Sequence, residues 1–147
     1  MPSDDPFDLE RFVTAQKPVF ETALAELQDG RKRSHWMWFV FPQMRGLGRS
    51  TTAEFYGIAS REEAQAYLAH PLLGARLRDA TDAVLSHRDA GAHAVFGSPD
   101  DMKFRSSMTL FARINPDGPY RAALVAFFEG NEDQATILLL RQSKARA

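Results

Sequence analysis

Cysteine is absent from this 147-residue chain. Its absence excludes disulfides, thiol nucleophiles and Cys-ligated metals, and with them a secreted disulfide scaffold. Long apolar runs are missing as well. Runs such as Trp36 to Phe41 and Ile137 to Leu140 fall far short of the ~20 residues that a bilayer span requires. The N-terminal segment MPSDDPFDLERF is acidic and lacks an apolar core, so no secretory signal is read there. A cytoplasmic protein with no membrane partner is therefore expected. The chain holds no Walker A loop, nucleophile elbow, HExxH or EF-hand pattern. His35, His70, His87 and His93 show no metal-ligand spacing, so neither a metal nor a cofactor is expected.

Acidic residues are missing from one stretch in particular. Between Gly30 and Ala53 there are five basic residues (Arg31, Lys32, Arg33, Arg45 and Arg49) and none of opposite sign. The net charge is −1, so the rest of the chain carries −6. Near-neutrality argues against a protein that coats nucleic acid, and no double-stranded nucleic acid is expected as a partner. The local patch matters more than the total. Within that basic frame lie Trp36, Trp38, Phe39 and Phe41, including both tryptophans of the protein. The hydrophobic content of 44% and charged content of 25% are those of a soluble globular protein. The length suits one domain with a real core, as an unassociated chain by default.

Periodicity predicts helices nearly throughout. Leu9, Phe12, Val13, Phe20, Ala23, Leu24 and Leu27 recur at helical spacing, with Asp8 as the expected N-cap, a break at Pro18 and a stop at Gly30. Ser60 with Glu63 forms a capping box ahead of Ala64, Tyr67 and Leu68. His70-Pro71 punctuates the chain before Leu73, Leu77, Ala80, Thr81, Val84 and Leu85 define the next face. Ser98-Pro99-Asp100-Asp101 predicts a cap, a first-position proline and two acids in the first turn. The helix it opens carries Phe104, Met108, Phe111 and Ala112 on one stripe. After the Asn115 to Pro119 turn, Tyr120 to Phe128 forms a helix closed by Gly130, and Asn131 with Gln134 is expected to cap the last one. The reading is an all-α, single compact domain over 1–147 of six or seven short helices, with Trp36 to Phe41 as one extended aromatic segment. Residues 1–6 and 142–147 are expected to fray.

The string GRKRSHWMWFVFPQMRGLGRS, with YGIAS, EAQAYLAHPLLGARL and FGSPDDMKFRSSMTLF after it, resembles the bacterial family called domain of unknown function eighteen-ten. The resemblance runs from DPFDLERF over nearly the whole chain. It implies a mainly helical fold and no established activity. The label "calpastatin" sometimes attached to that family describes inhibitors built on long disordered repeats, unlike this compact domain. The C-terminal half also resembles NADAR-type N-glycosidase domains. The matching residues are Lys103 and Met108, then Ala123, Leu124 and Phe127, Asn131, and Leu138 to Leu140. That resemblance implies a phosphorylated or ADP-ribosylated ligand. The acid-bearing Ser-Glu-His-type segment of those enzymes has no counterpart here; His35-Trp36 occupies a similar stretch without the acid.

Two functional readings follow. In the first, the chain binds a phosphorylated nucleoside-type small molecule, an anion resembling ADP-ribose or NAD, with N-glycosidase-type hydrolysis as the candidate reaction. Arg45, Gly46, Gly48, Arg49 and Ser50 would hold phosphate, since glycines expose amides and arginine forks match phosphate oxygens. Trp36 or Trp38 would stack on a ring. Gln43 would read an amide or base edge. Lys103 and Ser106 would face them from a polar stripe of Asp100, Lys103, Ser106 and Ser107. His35 is the candidate general acid, and Asp100 and Glu54 are the candidate carboxylates for glycosidic cleavage. The alternative is a non-enzymatic module whose basic, aromatic surface docks an acidic protein or single-stranded nucleic acid. Each residue also has a plain structural role open to it: cap, core or solvated rim.

Overall fold

Four helix starts, those opened by Asp5, Ser50, Ser60 and Asp133, are set by side chains that offer an oxygen to free backbone amides. The Asp5 carboxylate accepts from Leu9 N at 2.7 Å and Glu10 N at 2.8 Å, opening α1 (Glu10–Gln16). The expected cap, Asp8, instead takes a left-handed conformation at φ 53°, because Asp5 reaches both amides from one turn earlier. Residues 5–145 are described by the computed structural model of the chain, with side chains through 143. Part of the expected N-terminal fraying therefore lies outside the described residues, while Asp5 itself is engaged. At the other end the last helix runs to Ala145.

Pro18 separates α1 from α2 (Phe20–Gln28) as expected. Gly30 closes α2 at φ +79°: its N–H reaches Leu27 O at 3.0 Å, and Arg31 N reaches Glu26 O at 3.0 Å. A Cβ on Gly30 would also lie 2.8 Å from the His87 ring, so the position excludes larger residues twice over. Next come α3 (Met37–Val40) and α4 (Thr51–Tyr56), then α5 (Arg61–Ala69), α6 (Leu73–Leu85) and α7 (Ala92–Phe96). The long α8 (Asp100–Ile114), α9 (Tyr120–Phe128) and α10 (Gln134–Ala145) complete the described chain. His70 punctuates the α5–α6 junction chemically, its Nδ1 accepting from Leu72 N and Leu73 N at 3.1 and 3.2 Å.

The fold is all-α and forms one compact domain. Among the described residues ten helical segments replace the six or seven expected, partly because α3 and α7 are about one turn long and too short to show a period. The expected extended run is instead α3. Its residues are apolar on every side, and a helical turn distributes them around an axis where a strand offers only two faces. Two expected caps also move. Ser98 does not cap α8, which begins after a cis Ser98-Pro99 bond. Asp133, not Asn131, caps α10 by accepting from Thr136 N at 3.1 Å, since its carboxylate sits directly before the first helical residue.

Helix α8 runs through the centre. Phe104, Met108, Leu110, Phe111 and Ala112 are buried, and Ser106, Ser107 and Thr109 are buried with them. The polar stripe predicted on this helix is thus half interior. Around it the aromatic side chains interlock edge to face: Phe41 on Phe104 at 5.1 Å, Phe41 on Phe96 at 5.8 Å and Phe12 on Tyr67 at 5.1 Å. Burial pushes the Tyr67 phenol far above its ordinary pKa, although Gln16 donates to it at 3.1 Å. Among the described residues the one piece of β-type pairing is a parallel bridge between Met44 and Ile58. No described helix is long and apolar enough to cross a membrane.

Candidate functional site

The stretch from Arg33 to Trp36 is folded around one carboxylate. Glu26, on the buried face of α2 with Ala23 and Leu27, points into the loop that follows Gly30. It accepts from Arg33 N at 2.8 Å, Ser34 N at 3.0 Å, Ser34 Oγ at 2.6 Å and Trp36 Nε1 at 2.9 Å. Burial alone would raise its pKa. The Ser34 hydroxyl, the Arg33 amide, the Trp36 indole and the Ser34 amide outweigh that and bring the carboxyl from 4.5 to about 2. Glu26 was not among the residues singled out from sequence. The signal was present, since an acid three residues after Ala23 falls on the apolar face of its helix.

With Trp36 held there, α3 turns Trp38 away from it. Trp36 is 1% exposed, whereas Trp38 is half-buried and forms the wall of a cavity of about 160 Å³. Gln43, Met44, Leu47, Gly48, Ala53, Tyr56, Gly57 and Lys103 complete the lining. The Met44–Ile58 bridge draws the two rims together: Ile58 N donates to Gln43 O and Arg45 N to Ile58 O, both at 2.8 Å. Small residues permit the closure. A Cβ on Gly57 would lie 2.6 Å from Arg45 Cα, and one on Gly48 would lie 2.9 Å from Ala53 Cβ. Behind Gly57, Arg11 and Glu63 form an ion pair at 2.7 Å with both side chains nearly buried. Arg11 Nη2 also donates to Gly57 O at 3.1 Å, and Arg11 Nε to Phe55 O at 2.8 Å.

Beside the aromatic walls, Gln43 and Lys103 bring an amide and an ammonium group to the cavity. The Gln43 side chain is buried, and its Nε2 meets no hydrogen-bond partner among the described residues. Lys103 Nζ lies 4.2 Å from the Trp38 ring centre and 3.1 Å from Asp100 Oδ1. The other Asp100 oxygen is 2.9 Å from Lys32 Nζ, which sits 5.1 Å from the Trp36 ring. Burial would raise the Asp100 pKa, but the two ammonium groups hold it below the ordinary carboxylate range. A Lys32–Asp100–Lys103 relay of charges thus ties the anchored tryptophan to the cavity tryptophan.

Of the residues expected to form a site, Trp38, Gln43, Gly48 and Lys103 line this one cavity, with Asp100 behind Lys103. Arg45 and Gly46 line a separate, wider groove of about 470 Å³ on the other side of Met44, bounded by Ser60, Leu139 and Ser143. The Arg45 guanidinium is occupied by Glu54 O at 3.1 Å and Gly57 O at 3.3 Å. Ser50 caps α4, accepting from Ala53 N at 3.0 Å. Ser106 Oγ bonds Met102 O and Asp133 Oδ2. Trp36 is core. His35, Arg49 and Glu54 are exposed and line neither opening. Tyr56 and Leu47 are cavity residues that sequence reading did not select.

The sequence profile described as "Protein of unknown function (DUF1810)" matches residues 6–140. The chain belongs to the DUF1810 family. A solved relative in structure is the conserved hypothetical protein Rv1873 from Mycobacterium tuberculosis, with 54% identity and a TM-score of 0.91 over 93% of this chain and 99% of that one. Comparison with curated proteins gives no match. Fold and family are thereby shown, and neither carries a ligand, so a function for this DUF1810 domain has to be argued from the cavity itself.

Proposed function

We propose that the Trp38–Gln43–Lys103 cavity binds the ring of a small anionic compound of the phosphorylated nucleoside class. The observation that carries this reading is Gln43. A buried amide without a partner costs roughly 1–3 kcal/mol, and a ligand bearing a complementary amide or base edge removes that cost. Trp38 and Tyr56 offer aromatic walls, and Lys103 supplies a positive charge beside them. Size limits what enters. A cavity of about 150 Å³ accommodates one benzene-sized ring, and this one is about 160 Å³. The remainder of a nucleotide-like ligand would lie outside, towards solvent.

Binding is better supported than cleavage. Among the described residues no carboxylate lines the cavity, and both oxygens of Asp100 face ammonium groups. Docking of single-stranded nucleic acid or an acidic protein is also less favoured, because three of the five basic residues of the string are already engaged. Lys32 is bound to Asp100, Arg33 to Asp29 at 3.2 Å, and Arg45 to backbone carbonyls. The test is a thermal-shift and calorimetric panel of ADP-ribose, NAD, nucleoside monophosphates and free bases. At least one is expected to raise the melting temperature in the wild type and not in Lys103→Ala or Trp38→Ala. A flat response across the panel sinks the reading. Product analysis of any binder distinguishes a receptor from a hydrolase.

A further inference from the structure

A second cavity, of about 180 Å³, opens between α5, α8 and α10, lined by Arg61, Arg113, Arg141, Ile137 and Leu140. Three guanidinium-bearing residues on three helices converge on one small space. Like charges gathered over an apolar floor repel, and the floor of Ile137 and Leu140 lowers the local dielectric and strengthens that repulsion. Only one of the three is neutralised: Arg113 forms a two-pronged pair with Glu132, Nε at 2.7 Å and Nη2 at 2.8 Å. Arg61 and Arg141 have no carboxylate partner among the described residues, and neither side chain makes a hydrogen bond to them. Arg61 Nε is fully buried without an acceptor.

The Arg61 backbone is tied in place, its N–H donating to Ser143 Oγ at 3.3 Å, so the side chain issues from a fixed point at the first residue of α5. A buried guanidinium donor with no acceptor, beside a second unpaired guanidinium, is what an oxyanion relieves. It accepts from both forks and cancels their repulsion. We propose that this cleft is a phosphate-binding site, formed by Arg61 and Arg141 with Arg113 as its third positive wall. The site is separate from the Trp38 cavity and does not depend on it. A phosphate group arriving free or on a small ester presents the same chemistry to these three residues.

The probe is inorganic phosphate, titrated while the arginine Nε–H resonances are followed by NMR, with the Arg61 signal assigned by its loss in Arg61→Lys. A saturable shift of that signal, with half-saturation at about 1 mM or below, is expected. Sodium chloride at matched ionic strength should leave it in place. Arg141→Gln, at an exposed position, should weaken the effect about tenfold with the rest of the spectrum unchanged. Methyl phosphate shifting the same resonance would assign the site to an ester; inorganic phosphate acting alone would assign it to the free anion. No saturable shift with either, a shift that chloride reproduces, or one indifferent to Arg141→Gln overturns the proposal.

Discussion

Trp36 and Trp38 stand two residues apart in one string, yet the first is buried with its indole N–H committed to Glu26 while the second walls a cavity beneath an ammonium group. The difference lies in what each side chain finds on leaving α3. Trp36 meets a carboxylate already gathering the amides of Arg33 and Ser34. Trp38 meets Lys103, Gln43 and open volume. One aromatic, basic sequence therefore has a structural half and a half available for binding. The Lys32–Asp100–Lys103 relay joins them.

Substitutions can break that contrast, and the largest effect is expected at the anchored residue. Trp36→Ala should cost about 3–5 kcal/mol, read from urea midpoints, because it empties a fully buried site. Glu26→Ala comes next, at about 3 kcal/mol, since it strands several buried donors at once. Glu26 also gives a pH signature. Its carboxyl titrates at about 2 in the fold against an ordinary 4.5. The stabilisation is thus complete above the unfolded value and fades as pH falls from about 4.5 towards 2. Glu26→Gln should lower stability at pH 7 and flatten its decline over that acid range. An unchanged slope would show that Glu26 does not organise the loop.

Smaller effects are expected in the other half, where they sharpen the contrast. Trp38→Ala should cost no more than about 1.5 kcal/mol and abolish any ligand-induced rise in melting temperature. Gln43→Leu should stabilise the unliganded protein by about 1 kcal/mol. It removes an unpartnered buried amide, and it should weaken ligand binding up to about tenfold in calorimetry. A large loss of stability from Gln43→Leu would mean that the amide serves the fold after all.

Much of the fold was legible because long helices carry long patterns. The α6 face, the α8 apolar stripe and the stops at Pro18 and Gly30 all follow from spacing and backbone chemistry. The two shortest segments, α3 and α7, were not legible. Four apolar residues in a row, as in α3, read as a strand or a helix equally well, and only the surrounding core decides. Caps moved where another carboxylate took the free amides, as Asp5 and Asp133 show. For the cavity, sequence brought forward Trp38, Gln43, Gly48 and Lys103 by chemical type. It could not separate them from Arg49, Ser50 or His35, because that separation depends on α3 and the Met44–Ile58 bridge. Of the glycines offered as a phosphate cradle, Gly48 lets two chain segments touch at Ala53, and Gly46 takes a φ of +107° against Leu139.

Two tryptophans give two indole N–H signals, so each half of the string reports separately in one spectrum. Titration of a nucleotide-class binder from the panel into uniformly labelled protein is the most direct test of the central claim. The Trp38 indole signal should shift saturably, together with the Gln43 side-chain amide, while the Trp36 indole stays fixed on Glu26. A binder that moves Trp36 as much as Trp38, or leaves both unmoved, would contradict the division of the string and the assignment of the cavity.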